Sequence, residues 1–346
     1  MGSLLERLPP LATTGIGSLP FTRPVDAATH VFSAYELPFC PQLPRAYGDM
    51  ITEWLGADPG RCGWAPDRDR QLPVAWDAFI LELVGRPPVH GLVKLQVTGP
   101  VTLAMALDRT AHGNELRGLA GSISTWLAAT VAEQVAGLAE LGFDTVLVID
   151  EPGVAAAGLG AADIGVWDAL RVTVGAWGLH VCGEVPWDLV DAAEPDLISF
   201  DLTHDRLCGP ARWTLTRLIA RGGRVIWGAF DPVAPSSVNA AVVLITSAFT
   251  SFKGSVDAPA ASLVSTSCGT GLVSIADELV LAARVRSAAA GIRTDVTHGD
   301  AKRSRGCGRF RSGCRLSSLH RVWGRPTVSA GRRPFDERAV RYRHER

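Results

Sequence analysis

Long apolar runs are missing from this chain. No hydrophobic stretch approaches the ~18 to 20 residues that a membrane span requires, so no membrane-spanning helix and no membrane partner is expected. The opening residues, Met1-Gly-Ser-Leu-Leu-Glu-Arg-Leu-Pro-Pro, lack the basic start and apolar core of a secretory signal. Cysteine is sparse: seven residues scattered over 346 do not make a disulfide framework. A reducing, cytoplasmic setting is expected, with thiols free to act as ligands. No G-x-G-x-x-G opens a helix after the first candidate strand, which argues against a dinucleotide site.

Net charge is also nearly absent, but only as an average. Residues 302–346 carry 14 Lys and Arg against 3 Asp and Glu, whereas residues 1–301 carry 20 against 32. From about Thr294 helical periodicity vanishes and Arg, Gly and Ser dominate. The domain reading is therefore a folded body over 1–293 and a basic, disordered tail over 294–346. A basic arm for nucleic acid is the weaker reading of that tail, and so many arginines beside the single Lys302 also resemble a GC-rich gene read out of frame. No nucleic-acid partner is expected.

What is present is a regular alternation. Short β-branched or apolar runs end in Gly, Pro or a polar residue: Ala12–Ile16, Glu36–Gln42, Leu92–Val97, Thr145–Asp150, Gly178–Cys182, Leu197–Asp201, Arg224–Ala229 and Ser262–Ser267. Helical patterns separate several of them, notably Glu115–Leu141 before Gly142 and Ile275–Ala290 before Gly291. Eight such runs predict an α/β fold of the (β/α)8, or TIM, barrel type, a single domain, with a doubly wound sheet as the rival. Residues 55–90, rich in Pro, Gly, Asp and Arg, read as a long excursion that would serve as a lid or as a plain surface loop.

Polar residues gather where such a barrel places its chemistry. Ser18, Gln42, Thr98, Asp150, Glu151, His180, Cys182, Asp201, Asp231 and Cys268 all fall at or just beyond C-terminal strand ends. Residues two apart on a strand share a face, so His180 and Cys182 project together. Ser265-Thr-Ser-Cys268-Gly delivers a second sulfur in the same way. Two sulfurs and one nitrogen suit Zn2+, and three protein ligands leave an exchangeable position. The plainer alternative is that these cysteines are small buried hydrophobes.

Thr14-Gly-Ile16-Gly-Ser18-Leu-Pro, Thr98-Gly-Pro-Val-Thr, Val148-Ile-Asp-Glu-Pro, His180-Val-Cys and Ser267-Cys-Gly together resemble, in the same order, the catalytic barrel of cobalamin-independent methionine synthase. That family lies in a superfamily with uroporphyrinogen decarboxylase and corrinoid-dependent thiol methyltransferases. The resemblance spans residues 10–293. It implies a zinc-dependent methyltransferase of methionine biosynthesis, with His180, Cys182 and Cys268 as zinc ligands. Asp201 would stand in for the family's glutamate as fourth ligand, one methylene shorter, and Glu184 is the lesser substitute. The turn Ile16-Gly-Ser18 would hold the carboxylate of a homocysteine-like thiol, and Asp150 would take its amino group with Glu151 acting beside it. The methyl donor would be 5-methyltetrahydrofolate or a methyl-corrinoid protein.

The resemblance is uneven. Phe230 stands where the family places a proton-donating histidine, the family's second substrate-binding glutamate has no counterpart over Pro44–Asp49, and no donor-binding N-terminal half lies within these residues. The thiol half of the site is better preserved than the donor half. Two other readings follow: a decarboxylase acting on a porphyrinogen, for which Arg45 is the one obvious arginine at the mouth, and a non-catalytic paralogue that keeps zinc or binds a small thiol.

Overall fold

The computed structural model describes residues 3–55, 72–205, 207 and 209–306. The chain divides into two units, Met1–Lys302 and Arg303–Arg346. Residues 307–346 of the expected tail, with Cys307 and Cys314, lie outside the described residues, as do residues 56–71 of the expected excursion.

Among the described residues seven strands form one parallel sheet: β1 (Ala12–Thr13), β2 (Leu92–Thr98), β3 (Asp144–Asp150), β4 (Ala176–Val181), β5 (Leu197–Asp201), β6 (Arg224–Phe230) and β7 (Ser262–Thr266). Their order is β1-β7-β6-β5-β4-β3-β2, so every neighbour but one is sequential and the sheet curls as in a TIM-like fold. The sequence count of eight is corrected at Glu36–Gln42, which makes isolated bridges, Phe39 with Lys94 and Gln42 with Ser18, and no ladder. Pro38 and Pro41 explain this, because each removes an N–H that a ladder needs. The segment still bonds both ways: Leu37 N donates to Thr13 O at 2.9 Å and Cys40 N to Lys94 O at 3.3 Å.

Strand alternation sorts the side chains. Leu95, Val97, Leu147, Ile149, Leu179, Val181, Ile198 and Phe200 join the large core packed with the helices. Leu92, Val146, Val148, Ala176, Leu197, Ile226 and Leu263 form a separate apolar layer with Leu5 and Leu8. The N-terminal turn Leu4–Arg7 covers that layer, and Arg224 ties it down by donating to Leu5 O and Leu8 O. Nearer the C-terminal ends the strands carry Lys94, Gln96, Thr98, Asp150, His180, Ser199, Asp201 and Ser265 on the same faces. The parallel register aligns Thr98, Asp150, His180 and Ser199 across β2 to β5.

Helix Gly113–Glu140 matches its expected span and buries Leu116, Ala120, Ile123, Leu127, Val131 and Leu138. It ends at Gly142, whose φ of 84° is the left-handed conformation of a helix stop, with Phe143 N returning to Leu138 O. The last helix, Ile275–Gly306, runs through the expected stop at Gly291. Ala288, Ala289 and Ile292 are buried around that glycine, and such packing outweighs its helix penalty of about 1 kcal/mol. No helix among the described residues is long and apolar enough to cross a membrane.

Candidate metal and thiol site

His180 is the last but one residue of β4 and is 1 % exposed. Its Nδ1 pairs with Ser199 Oγ on β5 at 2.9 Å, which orients the ring and leaves Nε2 buried without a partner. Cys182, just past β4, is half-buried, and Cys268, just past β7, is exposed. The ligand atoms of His180, Cys182 and Cys268 all lie within 4.8 Å of one another. Thus β4 and β7, separated by two strands, deliver one nitrogen and two sulfurs to a single point.

The protonation pattern of this trio fits a cation. A hydrogen bond from Cys182, with help from His180, holds the Cys268 thiol below the ordinary thiol range, while the same bond and burial push Cys182 up. An added positive charge beside the pair would favour ionisation of both sulfurs together. An unpartnered buried imidazole nitrogen facing two thiols is the donor set that zinc selects.

Asp150 ends β3 beside His180, with Oδ1 at 4.0 Å from His180 Nε2. Oδ1 is buried without a partner, whereas Oδ2 accepts from Gln96 Nε2 at 3.0 Å. Burial pushes its carboxyl up, against the pull of His180. Ser18 lies across from Cys268: a Cβ on Gly269 would meet Ser18 Oγ at 2.0 Å, and Ser18 O accepts from Thr270 N at 2.9 Å. Ile16 is buried and offers its carbonyl to Lys94. Cys182, Cys268 and His180 come together as expected, with Asp150 beside the imidazole and Ser18 beside the Cys268 loop.

Glu151 is placed differently from its neighbour. It is fully buried and turned into helix Pro100–Leu107, where Oε1 accepts from Val101 N and Trp167 Nε1 and Oε2 accepts from Thr102 N and Thr102 Oγ1. Burial raises its carboxyl to about 6, opposed by those donors. The chain must approach closely to allow this, since a Cβ on Gly99 would sit 2.0 Å from Glu151 Cδ.

Asp201 and Glu184 border a cavity of about 590 Å³ that opens beside Cys182, together with Trp187, His204 and Asp205. The Asp201 carboxylate is engaged locally, by Thr203 N at 2.8 Å, Thr203 Oγ1 at 2.6 Å and His204 Nδ1 at 2.7 Å. The bond to Asp201 raises the His204 imidazole above its usual range. Among the described residues the metal-competent cluster contains three side chains, and Asp201 would join it only by giving up these bonds. Farther out, Thr98 Oγ1 donates to Met50 O and the Asp231 carboxylate closes its own turn at Val233 N. Phe230 is fully buried.

Three participants were not singled out in the sequence: Lys94, Gln96 and Ser199. The available signal was alternation, because Lys94-x-Gln96-x-Thr98 places polar groups on one face of an otherwise apolar strand.

A parallel, curled α/β sheet with a His/Cys/Cys cluster at its C-terminal strand ends defines the class. Solved structures of the same fold include a B12-independent methionine synthase from Shewanella sp. W3-18-1 in complex with selenomethionine. It superposes with a TM-score of 0.57 at 18 % identity, over 84 % of this chain and 99 % of that one. A methyltransferase from Methanosarcina mazei gives a TM-score of 0.57 at 13 % identity, over 85 % and 100 %. At such identities the likeness is one of fold, and it runs alongside the methionine synthase-like motifs. No family model and no curated protein matches the chain.

Proposed function

We propose that this chain is a zinc-dependent methyltransferase acting on a thiol, with a homocysteine-like amino-acid thiol as acceptor and methionine as the product from homocysteine. Methyl-folate or a methyl-corrinoid protein is the donor class. The observation that carries the reading is the convergence of His180, Cys182 and Cys268 within 4.8 Å beside an open cavity. We take the barrel to close through Leu37–Gln42, which bridges β1 and β2 by isolated bonds where an eighth strand was expected.

His180, Cys182 and Cys268 would hold Zn2+, and the bound ion would supply a Lewis acid that keeps an acceptor thiol ionised at neutral pH. Ser199 holds the His180 ring through Nδ1, which leaves Nε2 as the nitrogen available to ligate. The fourth position is left to the acceptor sulfur, with Asp201 as the chain's own candidate for it beforehand. Asp150 presents Oδ1 to the acceptor ammonium, and the Ile16–Ser18 turn faces its carboxylate. Glu151 anchors helix Pro100–Leu107 and so steadies the strand end that carries Asp150.

The test is zinc stoichiometry followed by X-ray absorption at the zinc edge with and without L-homocysteine. One zinc per chain, with its sulfur count rising from two to three on adding the thiol, supports the reading. Absent zinc, or a shell indifferent to the thiol, overturns it.

A further inference from the structure

Lys94 is 1 % exposed, on a strand face that otherwise carries apolar or neutral side chains, and among the described residues no carboxylate is bonded to it. Burial lowers its ammonium to about 7, with Asp150 pulling the other way. An isolated buried cation costs stability that an apolar side chain would not.

Its bonds run in two directions. Nζ donates to the Ile16 carbonyl at 2.7 Å and to Gln96 Oε1 at 2.8 Å, and it lies 5.0 Å from the centre of the Phe39 ring. The next link is Gln96 Nε2 to Asp150 Oδ2 at 3.0 Å. An ammonium only donates and a carboxylate only accepts, so Lys94 decides which way the Gln96 amide faces. That orientation occupies Asp150 Oδ2 and leaves Oδ1 free on the side of His180. The turn rests on the same amide, because a Cβ on Gly17 would fall 2.9 Å from Gln96 Cδ and Oε1.

We propose that Lys94, acting through Gln96, is the positioning residue of the acceptor site: one buried ammonium fixes both the Ile16–Ser18 turn and the free oxygen of Asp150. The site thereby selects thiols that carry an α-ammonium and a carboxylate. This inference rests on the function proposed above. Lys94 bonds to Ile16 and Gln96 and, among the described residues, to none of His180, Cys182 and Cys268, so its effect is on recognition of the amino-acid end and not on the sulfur.

Lys94→Met and Gln96→Leu, each in the full-length zinc-loaded protein, test this. Calorimetric affinities are measured for L-homocysteine and for 1-propanethiol, which has the sulfur without the amino-acid group, with zinc content followed in parallel. Both variants should keep one zinc and bind 1-propanethiol within about twofold of wild type, while L-homocysteine affinity drops about tenfold or more. If Lys94→Met does not fold, Gln96→Leu carries the comparison. A preference for L-homocysteine that survives in the variants, or is absent in wild type, overturns the positioning role and leaves the zinc–thiol reading standing. Failure of wild type to bind either thiol overturns that reading itself.

Discussion

Two adjacent acids at the end of β3 face opposite surroundings, and substitution should separate them. Asp150 keeps an oxygen free, whereas Glu151 uses both oxygens on Val101, Thr102 and Trp167. Glu151→Gln turns an amide donor toward backbone N–H groups and should cost about 1–3 kcal/mol in urea unfolding at pH 7. The pH dependence has a definite sign. With its folded pKa raised to about 6 from 4.5, Glu151 holds its proton more tightly in the native state, so stability is full below 4.5 and lost as pH rises through 6. Glu151→Gln should remove that decline, and unfolding midpoints collected from pH 4.5 to 7 would detect it.

The cysteines make a similar pair of contrasts. Cys268→Ser should abolish tight zinc binding, measured as metal per chain after dialysis, because one of two thiolates is lost. Cys40→Ser should leave zinc intact, since Cys40 is buried in the core and belongs to no ligand cluster among the described residues. Retention of one zinc by Cys268→Ser would sink the site assignment.

At the scale of elements, short apolar runs ending in Gly, Pro or a polar residue made all seven strands readable, and period-two alternation put His180 and Cys182 on one face. The same rule failed at Glu36–Gln42, where two prolines leave bridges in place of a ladder. Helix Ile275–Gly306 overran its glycine because buried neighbours decided the matter. Close approach between elements is also invisible to pattern. Gly228 on β6 would place a Cβ 2.5 Å from Phe200 O and 2.7 Å from Ser267 Cα, both backbone atoms that cannot rotate away. Gly228→Ala should therefore cost about 3 kcal/mol or more in chemical denaturation, at the top of the overpacking range.

For the molecule as a whole, the consequence of the proposed ligand set is a staple. β4 and β7 are two strands apart in the sheet, so an ion held by His180, Cys182 and Cys268 would tie opposite parts of the strand-end rim together. Chelation should lower Tm by several degrees in differential scanning calorimetry and zinc should restore it, because a ligand bound only by the folded state stabilises that state. A Tm unchanged by chelation of zinc-loaded protein would remove the staple.

The amino-acid order alone determined the strand count to within one, the polar character of the strand ends and the identity of the three candidate ligands. Hydrophobic period and residue chemistry are local properties, and both are written directly in the chain. Tertiary structure decided the partners. It turned Glu151 into the anchor of a separate helix, engaged Asp201 with Thr203 and His204, and linked Lys94 through Gln96 to Asp150. Those outcomes depend on which strands lie side by side and at what register, and hydrogen bonds between residues as far apart as Ile16 and Lys94 exist only once the sheet has curled.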